Sequence, residues 1–137
     1  LKRKEARELC MKVLFEMSIH NEYEKKLVDY HLQDESIGEQ KHYIEELIEK
    51  AISNLEEINS TIDAFSNSWK LSRIAKVDLA ILRLAIAEIL YLEDIPYAVS
   101  INEAVELAKK YSSNEADSYI NGILGKLVEA KGIKNNE

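Results

Sequence analysis

One cysteine, one proline and four glycines in 137 residues narrow what this chain can be. A lone thiol, Cys10, excludes an internal disulfide and fits a reducing cytoplasm. So little proline and glycine leaves few forced breaks, and the Leu, Ile, Ala, Glu and Lys that dominate favour helices. No apolar run approaches the ~18 residues of a spanning helix. Charges through the first twelve residues leave no uninterrupted apolar stretch for a secretory signal, and Glu5, Glu8 and Glu16 speak against a transit peptide. Strand-like alternation and a repeat of fixed period are also missing. What remains is 46% apolar and 31% charged, the balance of a globular protein rather than a disordered one. Residues 1–137 read most simply as one domain, long enough to bury roughly 70% of the surface its unfolded chain would expose.

Catalytic signatures are equally scarce. There is no phosphate-cradling glycine loop and no dinucleotide fingerprint. His20, His31 and His42 recur eleven residues apart, which is no metal-ligand spacing on a helix, so they read as ordinary surface or helix-end residues. Cys10 lies on an apolar stripe and reads as a small core residue. Carboxylate runs such as Glu45, Glu46 and Glu49 look like solvated helix faces. No enzyme, cofactor or metal is expected.

The apolar periodicity predicts an all-α fold of six or seven helices. Ala6, Leu9, Cys10, Val13, Leu14 and Met17 form one stripe over about 4–18, with Met11 and Phe15 off it. A short helix follows over 22–32. Ser36-Ile37-Gly38-Glu39 reads as a capping box opening a long helix with Ile44, Leu47, Ile48, Ala51, Leu55, Ile58 and Ile62, broken near Asn54 or Asn59. "SNSWKLS" (66–72) is a loop with Trp69 as its anchor. "RIAKVDLAILRLAIAEILYL" is apolar on nearly every face and predicts a central buried helix, on which Asp78 and Arg83 need partners or exposure. Pro96 ends it. Ser100–Glu103 and Ser112–Glu115 read as two further capping boxes, and Gly132 as the last helix's stop.

Positive charge is concentrated where it does not help the fold. Residues 1–12 carry a net +3 in a chain of net -7, so the remainder is -10. The arm, about 1–7, holds Lys2, Arg3, Lys4 and Arg7. Cations in a first helical turn oppose the macrodipole by about 0.3–1 kcal/mol each, so a polyanion is the natural reason for them. Arg3 and Arg7 lie one turn apart, within reach of one phosphate track. On the last helix Glu115, Tyr119, Gly122 and Lys126 share a face about 120° from the apolar stripe. A ring flanked by lysine and glycine suits stacking of an unpaired base. Gly122 and Gly125 cost about 1 kcal/mol each relative to alanine, so either a ligand or another helix needs the space.

Three stretches then carry a resemblance: "RKEARELCMKVLFEM", "RIAKVDLAILRLAIAEI" and "IPYAVSINEAVELAKKYSSNEADSYINGILGKL". In them the chain is similar to the NusB family of bacterial transcription antitermination factors over nearly its whole length. The resemblance implies two packed helical subdomains. It implies binding of boxA RNA in nascent ribosomal-RNA transcripts together with NusE, a small-subunit ribosomal protein, and assembly of an antitermination complex on RNA polymerase. The family's arginine-rich motif maps to Arg3, Lys4 and Arg7, with Glu5 in place of a third arginine. Its RNA-side acidic and aromatic positions map to Glu115 and Tyr119. On the NusE side Phe15 stands for a tyrosine and Asp78 for a glutamate, Phe15 being open between core and interface. Two other readings stand beside this one. One is the related domain fused to an RNA cytosine methyltransferase, of which this chain would be a fragment. The other is a protein-only helical adaptor or homodimer.

Overall fold

A computed structural model describes residues 1–66 and 70–133, which leaves Trp69 outside the described residues. The described residues form seven α-helices and two 3-10 segments, with no strand. The helices are α1 (Arg3–His20), α2 (Lys26–Leu32), α3 (Lys41–Ser53), α4 (Leu55–Phe65), α5 (Lys76–Tyr91), α6 (Tyr97–Tyr111) and α7 (Ala116–Lys131). The 3-10 segments are Glu35–Gln40 and Leu71–Arg73. The all-α expectation holds.

Helix α5 is the axis of the molecule, packed by α1, α3, α4, α6 and α7. Every residue from Asp78 to Glu88 is buried on it, as its all-round apolar character demands. On one side α1, α2 and α3 touch one another, and on the other α6 and α7 pack as a pair. Helix α1 buries its predicted stripe except the half-buried Leu9, and also Met11, Arg7 and Ser18, because α3 and α5 cover it from two directions. Cys10 is wholly buried, and burial pushes its thiol pKa up, as suits an inert core residue. The break between α3 and α4 falls at Asn54, whose side-chain amide donates to the Lys50 carbonyl (2.9 Å). Gly132, in the left-handed conformation (φ 63°), ends α7.

All three predicted capping boxes are corrected by tertiary structure. Gly38 has φ 55° and ψ -127°, a conformation that no helix accommodates, so α3 starts only at Lys41. Ser36 instead donates its N–H to the Asp34 carboxylate (2.9 Å). Pro96 caps α6 and starts it at Tyr97, four residues earlier than a Ser100 cap would, which puts Ser100 inside the helix. Ser112 is the extended residue that closes α6, and Glu115 precedes α7 with φ 75°. The freed hydroxyls of Ser100 and Ser112 bond to carboxylates on α5, described below.

Candidate nucleic-acid interface

The first turn of α1 is built by an acidic residue among the basic ones. The Glu5 carboxylate accepts the Lys2 N–H (2.9 Å), satisfying an N-terminal donor and placing negative charge at the positive end of the helix. The interruption of the basic run is therefore a helix cap. Lys2 is exposed. Arg3 is exposed too, but held: its Nε donates to Gln40 Oε1 (2.6 Å) and its guanidinium lies 4.1 Å over the Tyr43 ring. Lys4 is exposed with its Nζ 3.2 Å from Glu103.

Arg7 corrects the expectation of a phosphate-facing arginine. It is 6% exposed, its Nε donates to Glu88 Oε2 (2.7 Å) and its NH1 lies 3.5 Å from Glu103. Burial opposes its charge, but the hydrogen bond and charge of Glu88 outweigh that and raise its pKa. Arg3 and Arg7 are one turn apart as predicted, yet the turn of the stripe sends one to solvent and the other inward.

Glu88 is a hub that joins four helices. It is 1% exposed and accepts from Arg7 on α1, the Tyr43 hydroxyl on α3 and the Ser100 hydroxyl (2.9 Å) on α6. Burial, then the Glu88 charge, push the Tyr43 phenol pKa up. A buried carboxylate saturated in this way locks its neighbours. The Tyr43 ring that carries Arg3 is thereby fixed from beneath.

Toward the other end of α1, Glu8 meets α6. It accepts from the Tyr111 hydroxyl and from Lys110 (3.0 Å), and Lys12 lies 3.6 Å away. The Tyr111 hydrogen bond, ahead of the lysines, lowers the Glu8 pKa. A carboxylate with a lowered folded pKa stabilises fully above its unfolded value, about 4.3, and that contribution is lost as pH falls through the folded value. Glu8→Gln should therefore flatten the acid limb of a stability profile below about pH 4.3. Urea melts between pH 7 and 3 check this, and an unchanged acid limb refutes it.

Tyr119 forms the second half of the site. Its ring is half-buried, with the hydroxyl end beside Ser66 and Asp78; burial and then the Asp78 charge raise its pKa. Glu115 and Lys126 are both exposed, Glu115 at the start of α7 and Lys126 three turns further along the same face. A Cβ at Gly122 or Gly125 would meet nothing within 4 Å among the described residues, so none of the seven helices fills that space. Tyr119 and Glu115 line a cleft of about 350 Å³ with Arg73, Ile74, Ser113 and Asn114.

Asp78 corrects a second expectation. It is 8% exposed, accepts the Ser112 hydroxyl and lines the Tyr119 cleft, so it ties the α6–α7 corner to α5 and presents no acidic patch. Phe15 is at the surface, 37% exposed, with Ile19 one turn on at 50%. Asp78 and Glu88 are ten residues apart on α5, so the Tyr119 cleft and the arm lie roughly 15 Å apart along its axis.

Sequence reasoning missed Tyr43, Gln40, Glu88, Glu103 and Arg73. The first four lie 36 or more residues from the arm side chains they touch, and no local pattern marks them. Arg73 had a visible signal, the cations Lys70, Arg73 and Lys76 with no acid among them. Among the described residues, no group of three His, Cys, Asp or Glu could hold a metal. No helix there is long and apolar enough to cross a membrane.

The NusB family matches residues 4–129. The transcription antitermination protein NusB of Alkaliphilus oremlandii is 59% identical, with all of each chain aligned. That of Acetivibrio thermocellus is 48% identical over 94% of this chain and 90% of its own. Among solved structures, T. maritima NusB superposes with a TM-score of 0.87 at 30% identity, covering 94% of this chain and 92% of that one. A crystal structure of the antitermination factors NusB and NusE in complex with dsRNA gives 0.82 at 27% identity, covering 93% and 96%. With its all-α architecture, its basic first turn and these similarities, the chain belongs to the NusB family.

Proposed function

We propose that this protein is a non-enzymatic, cytoplasmic transcription antitermination factor, its whole chain acting as one RNA-binding domain. It binds boxA RNA of nascent ribosomal-RNA transcripts jointly with NusE and helps assemble the antitermination complex on RNA polymerase. The observation that carries this reading is the open face of α7: a half-buried tyrosine on the same face as Gly122, where an added Cβ would meet nothing among the described residues. A half-buried ring has less freedom to lose when a base stacks on it, and such stacking is worth about 1–3 kcal/mol per base. Glu115 can accept from base amino groups, while Lys2, Arg3 and Lys4 supply phosphate contacts at the far end of α5. The NusB–NusE complex with dsRNA supports the pairing of partners. Phe15, exposed on α1, is the residue assigned to the NusE side.

A gel shift with boxA RNA and a scrambled control, with and without NusE, tests the reading. Preference for boxA, strengthened by NusE, is expected; equal binding of both RNAs in both conditions overturns it.

Glu115→Gly separates this role from the fold. The left-handed φ of 75° strains a residue with a Cβ by about 1–2 kcal/mol, and glycine removes that strain at some entropic cost. The variant should be more stable by about 0.5–1 kcal/mol and yet bind boxA more weakly. Thermal melts and the same gel shift decide it; weaker binding with lower stability would contradict the assignment.

A further inference from the structure

Charged side chains along α1 and α6 are mostly matched. Lys4, Lys12, Lys109 and Lys110 each lie within 4.0 Å of a carboxylate. The connector before α5 is different. Lys70, Arg73 and Lys76 are all exposed, and none of them makes an ion pair among the described residues. Lys2, Lys41, Lys50 and Lys131 also make no ion pair among the described residues, but in the connector three such cations fall within seven residues with no acid among them. The nearby acids are engaged elsewhere: Asp63 accepts the Leu71 N–H (3.1 Å) and Asp78 accepts from Ser112. Glu115 lines the cleft and makes no ion pair among the described residues.

Position gives the charge a meaning. Arg73 lines the cleft that holds Tyr119, Ser113 and Asn114. Lys70 and Lys76 line a groove on the other side of the connector, together with the buried Arg83. Arg83 is bonded there to Asn59 Oδ1 (3.0 Å) and the Tyr23 hydroxyl (2.9 Å), both uncharged. The connector is thus a cationic ridge beside the aromatic platform, distant from the arm.

We infer that residues 70–76 are a second phosphate-contacting element: Arg73 holds the phosphate next to the base on Tyr119, and Lys70 and Lys76 carry the strand onward. This deepens the proposed RNA-binding function and rests on it. A cation without a protein partner displaces counterions from the RNA on meeting phosphate and breaks no salt bridge to do so.

Fluorescence anisotropy with a labelled single-stranded boxA RNA, titrated across 50–200 mM salt with and without NusE, is the test. Arg73→Ala should shallow the log–log salt slope by about 0.7, and Lys70→Ala with Lys76→Ala by about 1.4. Arg73→Lys should restore the slope, and Lys109→Ala should leave it unchanged. These exposed sites leave the fold intact, checked by thermal melts. Wild-type binding with a slope reduced by Arg3→Ala but not by the connector variants overturns this inference alone. So does a loss seen only with NusE and without a slope change, which assigns the ridge to protein contact. Failure of the wild type to prefer boxA over a scrambled RNA overturns the proposed function and the inference together.

Discussion

Glu88→Ala is expected to destabilise the protein by about 3–5 kcal/mol, the cost of leaving a buried charge without its partner. Arg7 would then lie 6% exposed with only Glu103, 3.5 Å away, to offset it. The hydroxyls of Tyr43 and Ser100 would lose their acceptor at the same time. Urea denaturation of the variant and of Glu88→Leu combined with Arg7→Met measures the effect. The double variant removes both charges and should recover much of the loss, since apolar replacement of a buried pair is often neutral or better. A loss for Glu88→Ala under about 1 kcal/mol, the range of an exposed pair, would show that the hub does not hold α1. RNA binding by Arg7→Ala should fall only in step with this loosening, because Arg7 supports the surface on which Arg3 rests and does not itself reach solvent.

The second large effect falls on binding and leaves stability nearly untouched. Arg3→Glu combined with Lys4→Glu removes two phosphate contacts, which should shallow the salt slope by about 1.4 and weaken boxA binding roughly 25-fold at 0.1 M salt. Repulsion from the new carboxylates adds to that. The Lys4–Glu103 pair is exposed, so its loss costs about 0–1 kcal/mol. Arg3 is the stronger contributor, since Tyr43 and Gln40 already hold its guanidinium and less freedom is lost when a phosphate binds. Anisotropy titrations at several salt concentrations check this; a slope equal to that of the wild type would remove the arm from the interface.

The two variants sort the basic run by direction. Its four cations look equivalent in sequence, and the stripe of Ala6, Cys10, Val13, Leu14 and Met17 already indicates which face is buried. Placing Arg7 needs more than that stripe, because its partner Glu88 lies 81 residues away. Glu88 itself reads as one more charge near the end of an apolar helix. Asp78 misleads for the same reason. An acid at the start of a helix suggests a surface patch or a favourable end charge, until Ser112 closes over it from the end of α6. The cleft at Tyr119 was half legible: the ring, Glu115 and Gly122 share a helical face by periodicity alone, but Arg73 arrives from another part of the chain.

What the sequence by itself determined is the set of helices, the central place of α5 and the core stripe of α1. These follow from repeats of three and four residues, which are local, and from an apolar helix having nowhere else to go. Helix starts were decided by tertiary structure, since Ser36, Ser100 and Ser112 lost their capping roles to a glycine turn, a proline and contacts with other residues. So were the fates of the charges. Burial, and with it the choice between holding the fold and meeting RNA, depends on which helix covers a side chain, and that information is spread over residues far apart in the chain.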